Sequence, residues 1–206
     1  MTTKPITDMT SPGRTTYHID PLRGKDENSG LQPGEAWRGP KPLSRLALAP
    51  GDRIEVSPGR FTETIRLTGS GTAEHPVEIH FAPGDYDFHP TDAVKLPLHI
   101  SNTNDGPYIP KSIGLLFDDI RHLNVRGNGA NLYFHGKMIE VMVDRAENID
   151  LSGLTFDYRR PSVSECTILT VDTDHADVLV HPDSHYAVED EKLIWIGEGG
   201  DPRGWT

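Results

Sequence analysis

The chain has 206 residues, 35% hydrophobic and 25% charged, a balance that excludes a disordered polypeptide and allows one or two folded domains. Twenty Lys and Arg against 31 Asp and Glu give a formal charge of −11, which repels a phosphate backbone; no basic stripe offsets it, so nucleic acid is excluded as a partner. No apolar stretch approaches the length of a membrane span, so no membrane partner is expected, and a single cysteine, Cys166, excludes an intramolecular disulfide framework and a cysteine-built metal site.

Met1 to about Arg14 is polar, rich in Thr and Pro, and lacks the apolar run of a secretory signal. Residues 1–16 are therefore expected to be disordered, and the chain as written to stay in the cytoplasm; a secreted or periplasmic protein would require a different N-terminus. Beyond them, 20 Gly and 17 Pro supply turns between short clumps of Val, Ile, Leu and Phe, which predicts an all-β fold. Tyr17, His18 and Ile19 read as a first strand, followed by a loop of Asp, Gly, Asn and Ser to Gly34. From Leu48 to Phe61, Ile54 and Val56 alternate with polar neighbours between two Pro-Gly turns.

Short strand, sharp turn, short strand then recurs with a period. Ile54 and Val56 return as Val77 and Ile79, a step of 23 (54 to 77). The segment from Asp119 to Gly127 returns from Arg145 to Gly153, a step of 26 (119 to 145) that carries Leu123 onto Ile149, Val125 onto Leu151 and Leu116 onto Met142. After each glycine comes another apolar cluster, Leu132 and Phe134, then Leu154 and Phe156. Repeats of this size are single coils that bury their inward side chains only by stacking on neighbours. Leucine-rich repeats would show regular Leu spacing and an Asn ladder, and a sandwich would show two-residue hairpins; a parallel β-helix is the better fit. After Pro161 the pattern changes. Glu165 to Val171, Val178 to His181 and Lys192 to Ile196 read as strands joined by turns at Asp172 to Asp177 and Pro182 to Glu191, short enough for antiparallel hairpins. This gives a boundary near Arg160 and Pro161, with coils over residues 17–161 and an antiparallel unit over residues 162–206.

Several pieces, in order and spacing, carry a resemblance. They are Ile100-Ser-Asn-Thr103, Ile113-Gly-Leu-Leu-Phe117, Gly127-Asn-Gly-Ala130, Phe134-His-Gly-Lys-Met138, Glu147-Asn-Ile149, Phe156-Asp157, Arg160-Pro161 and Ser164-Glu165, then His181 to Tyr186 and Lys192 to Glu198. Together they resemble the glycoside hydrolase family of exo-acting α-1,3-galactosidases, the type that cleaves the blood-group B antigen. The likeness covers Ile100 to Glu198 closely and the preceding segment loosely. It implies a right-handed parallel β-helix with the start of an inserted antiparallel β-barrel unit, hydrolysis with inversion of terminal α-1,3-linked galactose on a glycan, and no metal or organic cofactor. Because members of that family are much longer, it also implies an N-terminal portion whose catalytic carboxylates lie in later coils, and a fragment inactive by itself. No residue here receives a catalytic role from it.

The residues themselves leave other readings. Asp118, Asp119, Glu140, Asp144, Glu147, Asp150 and Asp157 are the carboxylates of the coils, with Asp119 read as a turn residue. Asp157 and Glu165 near the junction read as partners of Arg159 or Arg160 in an ion pair rather than as a catalytic pair. His181, Asp183 and His185 have metal-like spacing, but Pro182 followed by Asp-Ser is ordinary turn chemistry, so no metal is expected. His135 reads as a hydrogen-bonded structural histidine and Cys166 as a small buried residue. Trp37, Trp195 and Trp205 could stack on sugar faces, with core packing the default for Trp195. A non-catalytic polysaccharide-binding β-helix module and a calcium-dependent polysaccharide lyase remain as alternatives.

Overall fold

The computed structural model describes residues 7–99, 108–161 and 163–198; Ile100 to Thr103, Trp205 and Thr206 lie outside the described residues. In chain order the strands are β1 (Met9–Thr10), β2 (Thr16–Ile19), β3 (Leu46–Leu48), β4 (Arg53–Val56), β5 (Gly59–Phe61), β6 (Ile65–Ser70), β7 (Val77–Phe81) and β8 (Asp85–Phe88). They continue as β9 (Lys95–Pro97), β10 (Pro110–Phe134), β11 (Met138–Asp144), β12 (Glu147–Tyr158), β13 (Cys166–Val171), β14 (Ala176–Val180), β15 (Tyr186–Glu189) and β16 (Lys192–Trp195). Two short 3-10 turns, Pro33–Glu35 and Lys41–Arg45, are the only helical segments among the described residues, so the fold is mainly β.

Strands β1 to β12 form one curled sheet in which three parallel ladders run side by side. The first is β1-β3-β6-β10-β11, the second β2-β4-β7-β10-β12, and the third β5-β8-β10-β12. Strand β10 belongs to all three because it bends at Asp119, His122 and Asn128, each in the left-handed region with φ of 53°, 51° and 50°. The next circuit bends at the same steps, at Arg145 (50°) and Asn148 (56°). Asp, His and Asn tolerate that conformation better than most residues, and Arg145 is the exception. The 26-residue repeat is therefore a repeat of corners as much as of apolar positions.

Inward positions of all three ladders fill one core. Ile54, Val56, Ile79, Phe81, Leu123 and Val125 are buried in the second ladder, and Ile65, Leu67, Leu115 and Phe117 in the first. The third is aromatic: Phe61 stacks on Phe88 at 5.1 Å between ring centroids, Phe88 on Phe134 at 5.2 Å, and Phe134 on Phe156 at 6.3 Å. Each large apolar side chain buried in this way contributes about 1.5–3 kcal/mol over leaving it in water. The last circuit is less covered. Val125 is fully buried, whereas its register partner Leu151 is 42% exposed, and Ile149, Leu154 and Phe156 are only partly buried.

Three sequence expectations change. The pairing across 23 residues is a pairing across 25, Ile54 with Ile79 and Val56 with Phe81. The 26-residue step holds for Leu116–Met142, Leu123–Ile149 and Val125–Leu151, but becomes 24 beyond the glycines, where Leu132 lies on Phe156 and Phe134 on Tyr158. The register slips between Arg126 and Ala130 because Asn128 and Gly129, both at positive φ, add two residues to a corner that the next circuit turns with Gly153 (φ 72°). Gly127 seats this corner: a Cβ there would stand 2.2 Å from the Gly153 carbonyl oxygen. Finally, residues 7–16 are not disordered. Met9 and Thr10 pair with Leu46 and Ala47 at the edge of the first ladder, and buried Ser11 accepts the Tyr17 hydroxyl at 2.8 Å.

Beyond Pro161 the expected hairpin of β13 with β14 forms, but β16 pairs with β15 rather than with the strand before Pro182. Tyr186–Glu189, read from sequence as part of a turn, is a strand, and the chain reverses over Asp190 (φ 48°) and Glu191 (φ 63°). Two consecutive positive φ values make the type I′ geometry that matches the twist of a hairpin.

Candidate functional site

Charged side chains gather in three places. At the end of the first ladder, Asp118 is 2% exposed and accepts from the guanidinium of Arg66 on β6 and from that of Arg145, which also donates to Asp144 at 2.6 Å. One acid on β10 thus ties together three successive circuits. Both of its oxygens are engaged by guanidiniums, so it is a structural tie.

The second place is His135, at the corner after β10. Its Nδ1 lies 2.6 Å from Glu198 Oε1 and its Nε2 2.9 Å from Asp87 Oδ1, while the Gly136 N–H donates to Glu198 Oε2 at 2.8 Å. Arg159 donates to Asp87 at 2.8 Å, and its guanidinium carbon lies 3.6 Å over the ring of Tyr133. His89 stacks on His135 at 3.9 Å. Burial works against the Asp87 carboxylate, but hydrogen bonds from Arg159 and His135 outweigh it and hold its carboxyl below the usual range. Burial and the neighbouring His135 and Arg60 push His89 down, which keeps it neutral beside its stacked partner. With both ring nitrogens on carboxylates, His135 has none left for a substrate. The cluster is a latch that fastens the segment carrying Glu198 to the third ladder, in agreement with the structural role read for His135.

A pH dependence follows from this latch. A depressed carboxyl gives stability that is present above the unfolded Asp value of about 3.9 and lost as pH falls through the folded one. Asp87→Asn is expected to lower stability at neutral pH, with the gap to the parent closing below about pH 4. Urea unfolding at a series of pH values measures it, and a gap that stays constant would contradict the assignment.

The third place is a cleft of about 700 Å³ between the segment after β2 and the end of β5. Pro21 and Asp26 line it from one side, Arg38 and Lys41 from another, and Arg60, Glu63 and Asp92 from the ladder edge. Burial pushes the Glu63 carboxyl up; Lys41 opposes this, and the charges of Asp26 and Asp92 reinforce it. Gly39 makes room for this acid, since a Cβ there would lie 2.6 Å from Glu63 Oε2. No motif announced the cleft, because separate stretches build it, from Met9 and Pro21 to Arg60, Glu63 and Asp92.

The remaining candidates are dispersed. Glu147 pairs with Arg121 at 3.6 Å, Asp150 with Arg126, and Asp157 caps the Tyr158 N–H at 2.8 Å. Asp119 occupies its left-handed corner as read. The ion pair expected of Arg159 or Arg160 with Asp157 or Glu165 is not made: Arg159 reaches back to β8, Arg160 donates to the Ile196 carbonyl, and the Glu165 backbone N–H donates to Ser184 Oγ. His181 lies 3.6 Å from Asp183, and among the described residues no group of three or more His, Cys, Asp or Glu is arranged to hold a metal ion. Cys166, expected to be buried, is exposed on β13, whose one strand partner among the described residues is β14. Trp37 is 7% exposed, stacked on Tyr17 at 5.4 Å, with its indole N–H on the Asn28 carbonyl, so it is a core residue. Trp195 meets Tyr186 edge-on at 6.2 Å.

No protein-family model matches the chain. Among curated proteins, alpha-1,3-galactosidase A of Akkermansia muciniphila is 34% identical over 195 residues, 94% of this chain and 33% of that protein. The chain is homologous to bacterial alpha-1,3-galactosidases. Alpha-1,3-galactosidase A of Bacteroides thetaiotaomicron is 33% identical over 71% of this chain and 27% of its own length, and alpha-1,3-galactosidase B of Parabacteroides distasonis is 26% identical over 76% and 26%. The chain spans about a quarter to a third of the length of these galactosidases. Among solved structures, the GH136 lacto-N-biosidase of Eubacterium ramulus aligns with a TM-score of 0.47 at 15% identity, over 70% of this chain and 34% of that one.

Proposed function

We propose that this chain is a coil-forming part of an exo-acting α-1,3-galactosidase. Its residues 17–161 are coils of a right-handed parallel β-helix, and the segment from residue 162 begins an inserted antiparallel β-barrel unit. The whole enzyme hydrolyses terminal α-1,3-linked galactose from a glycan with inversion and without a metal or cofactor. The observation that carries this reading is 34% identity to a curated alpha-1,3-galactosidase over 94% of the chain. The three parallel ladders, which advance by one circuit per repeat, support the β-helix part of it.

Inversion needs an acid to protonate the leaving oxygen and a second carboxylate, about 6.5–9.5 Å away, to activate water. Asp118, held by Arg66 and Arg145, and Asp87, held by Arg159 and the His135 ring, are built firmly into the ladders. We place the catalytic pair outside these 206 residues, as the greater length of the galactosidases that the chain resembles implies. Two assays test this. The 206-residue chain is expected to release nothing from p-nitrophenyl α-galactoside or an α-1,3-linked digalactoside. The Akkermansia enzyme with its homologous segment replaced by this chain is expected to release galactose as the β anomer first, seen by proton NMR. Turnover by the 206 residues alone would refute the placement of the acids, and a folded chimera without activity would count against the galactosidase reading.

A further inference from the structure

We propose that the cleft around Glu63 is a binding site for a neutral saccharide. Seven charged side chains line it: Asp26, Glu63 and Asp92, with Arg38, Lys41, Arg45 and Arg60. Arg45 is taken up by Asp8, and none of the other six makes a side-chain hydrogen bond or ion pair among the described residues. These six, three carboxylates and three cationic groups held apart around one void, offer both acceptors and donors. A sugar hydroxyl is both donor and acceptor and satisfies either kind. An anionic or cationic ligand would meet as much repulsion as attraction there.

The walls fit the same ligand. Pro21, Pro40, Pro42 and Met9 add apolar surface suited to the C–H face of a pyranose ring, beside the charged groups that fix orientation. The volume falls within the range of about 300–1,000 Å³ usual for small-molecule sites. Glu63 is the half-buried acceptor of the set, and the absent side chain of Gly39 keeps its carboxylate in place. The lining chemistry gives the ligand class; the choice of an α-galactoside as first probe rests on the function proposed above.

The test is a titration of the isotope-labelled 206-residue chain with methyl α-galactopyranoside and, separately, methyl α-glucopyranoside, followed by backbone amide shifts. Saturable shifts at Gly39, Lys41, Phe61 and Glu63, with the His135 corner unmoved, are expected. Glu63→Gln is expected to weaken binding about tenfold, since a charge-assisted hydrogen bond becomes a neutral one. Asp92→Asn provides a second variant, and the parent shift map stands even where a variant does not fold. Binding of the glucoside alone would uphold the site and count against the galactosidase reading. Absence of saturable shifts with either sugar, shifts confined to another face, or equal affinity in folded Glu63→Gln and Asp92→Asn would overturn the proposal.

Discussion

Alanine at Asp118 is expected to lower the free energy of unfolding by about 3–5 kcal/mol, the loss that follows when one partner of a buried ion pair is removed and the other stays uncompensated. Arg66 bears most of that cost, because its side chain is largely buried and its Nε already lacks a partner among the described residues. Arg145 is more exposed, so water replaces part of what it loses. The effect spreads because the acid joins circuits whose strands are far apart in sequence, β6, β10 and the corner after β11. Pairing Asp118→Leu with Arg66→Met is expected to restore much of the stability, since an apolar pair of similar volume carries no desolvation penalty. Urea unfolding of the two variants reads both effects. A loss within about 1 kcal/mol for Asp118→Ala would mean that the guanidiniums are hydrated and the cluster is no internal tie.

The inward faces of the ladders were legible from alternation alone; their exact register was not. Side chains repeat every two residues along a strand, so a pairing shifted by two keeps every apolar residue facing inward. That is why Ile54 could be matched to Val77 when it lies on Ile79, and Leu132 to Leu154 when it lies on Phe156. A shift by one would have been visible at once. Asp118 follows a run of apolar residues, but its partner Arg66 is 52 residues away and has no local signature. The strand Tyr186–Glu189 was hidden for a different reason: Asp190 and Glu191 make a type I′ turn without the glycine that usually announces one. The Glu63 cleft and the His135 latch share this illegibility, since each is assembled from residues of separate circuits or loops that only the ladder register brings together.

The third ladder gives that register an energetic test. Phe88 is 1% exposed and lies between Phe61 and Phe134, with interplanar angles of 17° to both. Phe88→Ala is expected to cost about 3–5 kcal/mol, combining the lost transfer energy of the ring with a cavity that flanking circuits cannot close. The two ring contacts add about 0.5–1.5 kcal/mol each beyond the area buried. Phe156, on the same ladder but only partly buried, serves as the comparison. Its truncation is expected to cost about 1–2 kcal/mol, because water already reaches the ring and no closed void is left behind. The difference between the two variants, measured as a shift in urea midpoint at constant slope, reports how completely successive circuits cover each other. Equal losses at both positions would show that Phe156 is as deeply enclosed as Phe88, and the open face described for the last circuit would then be covered in solution.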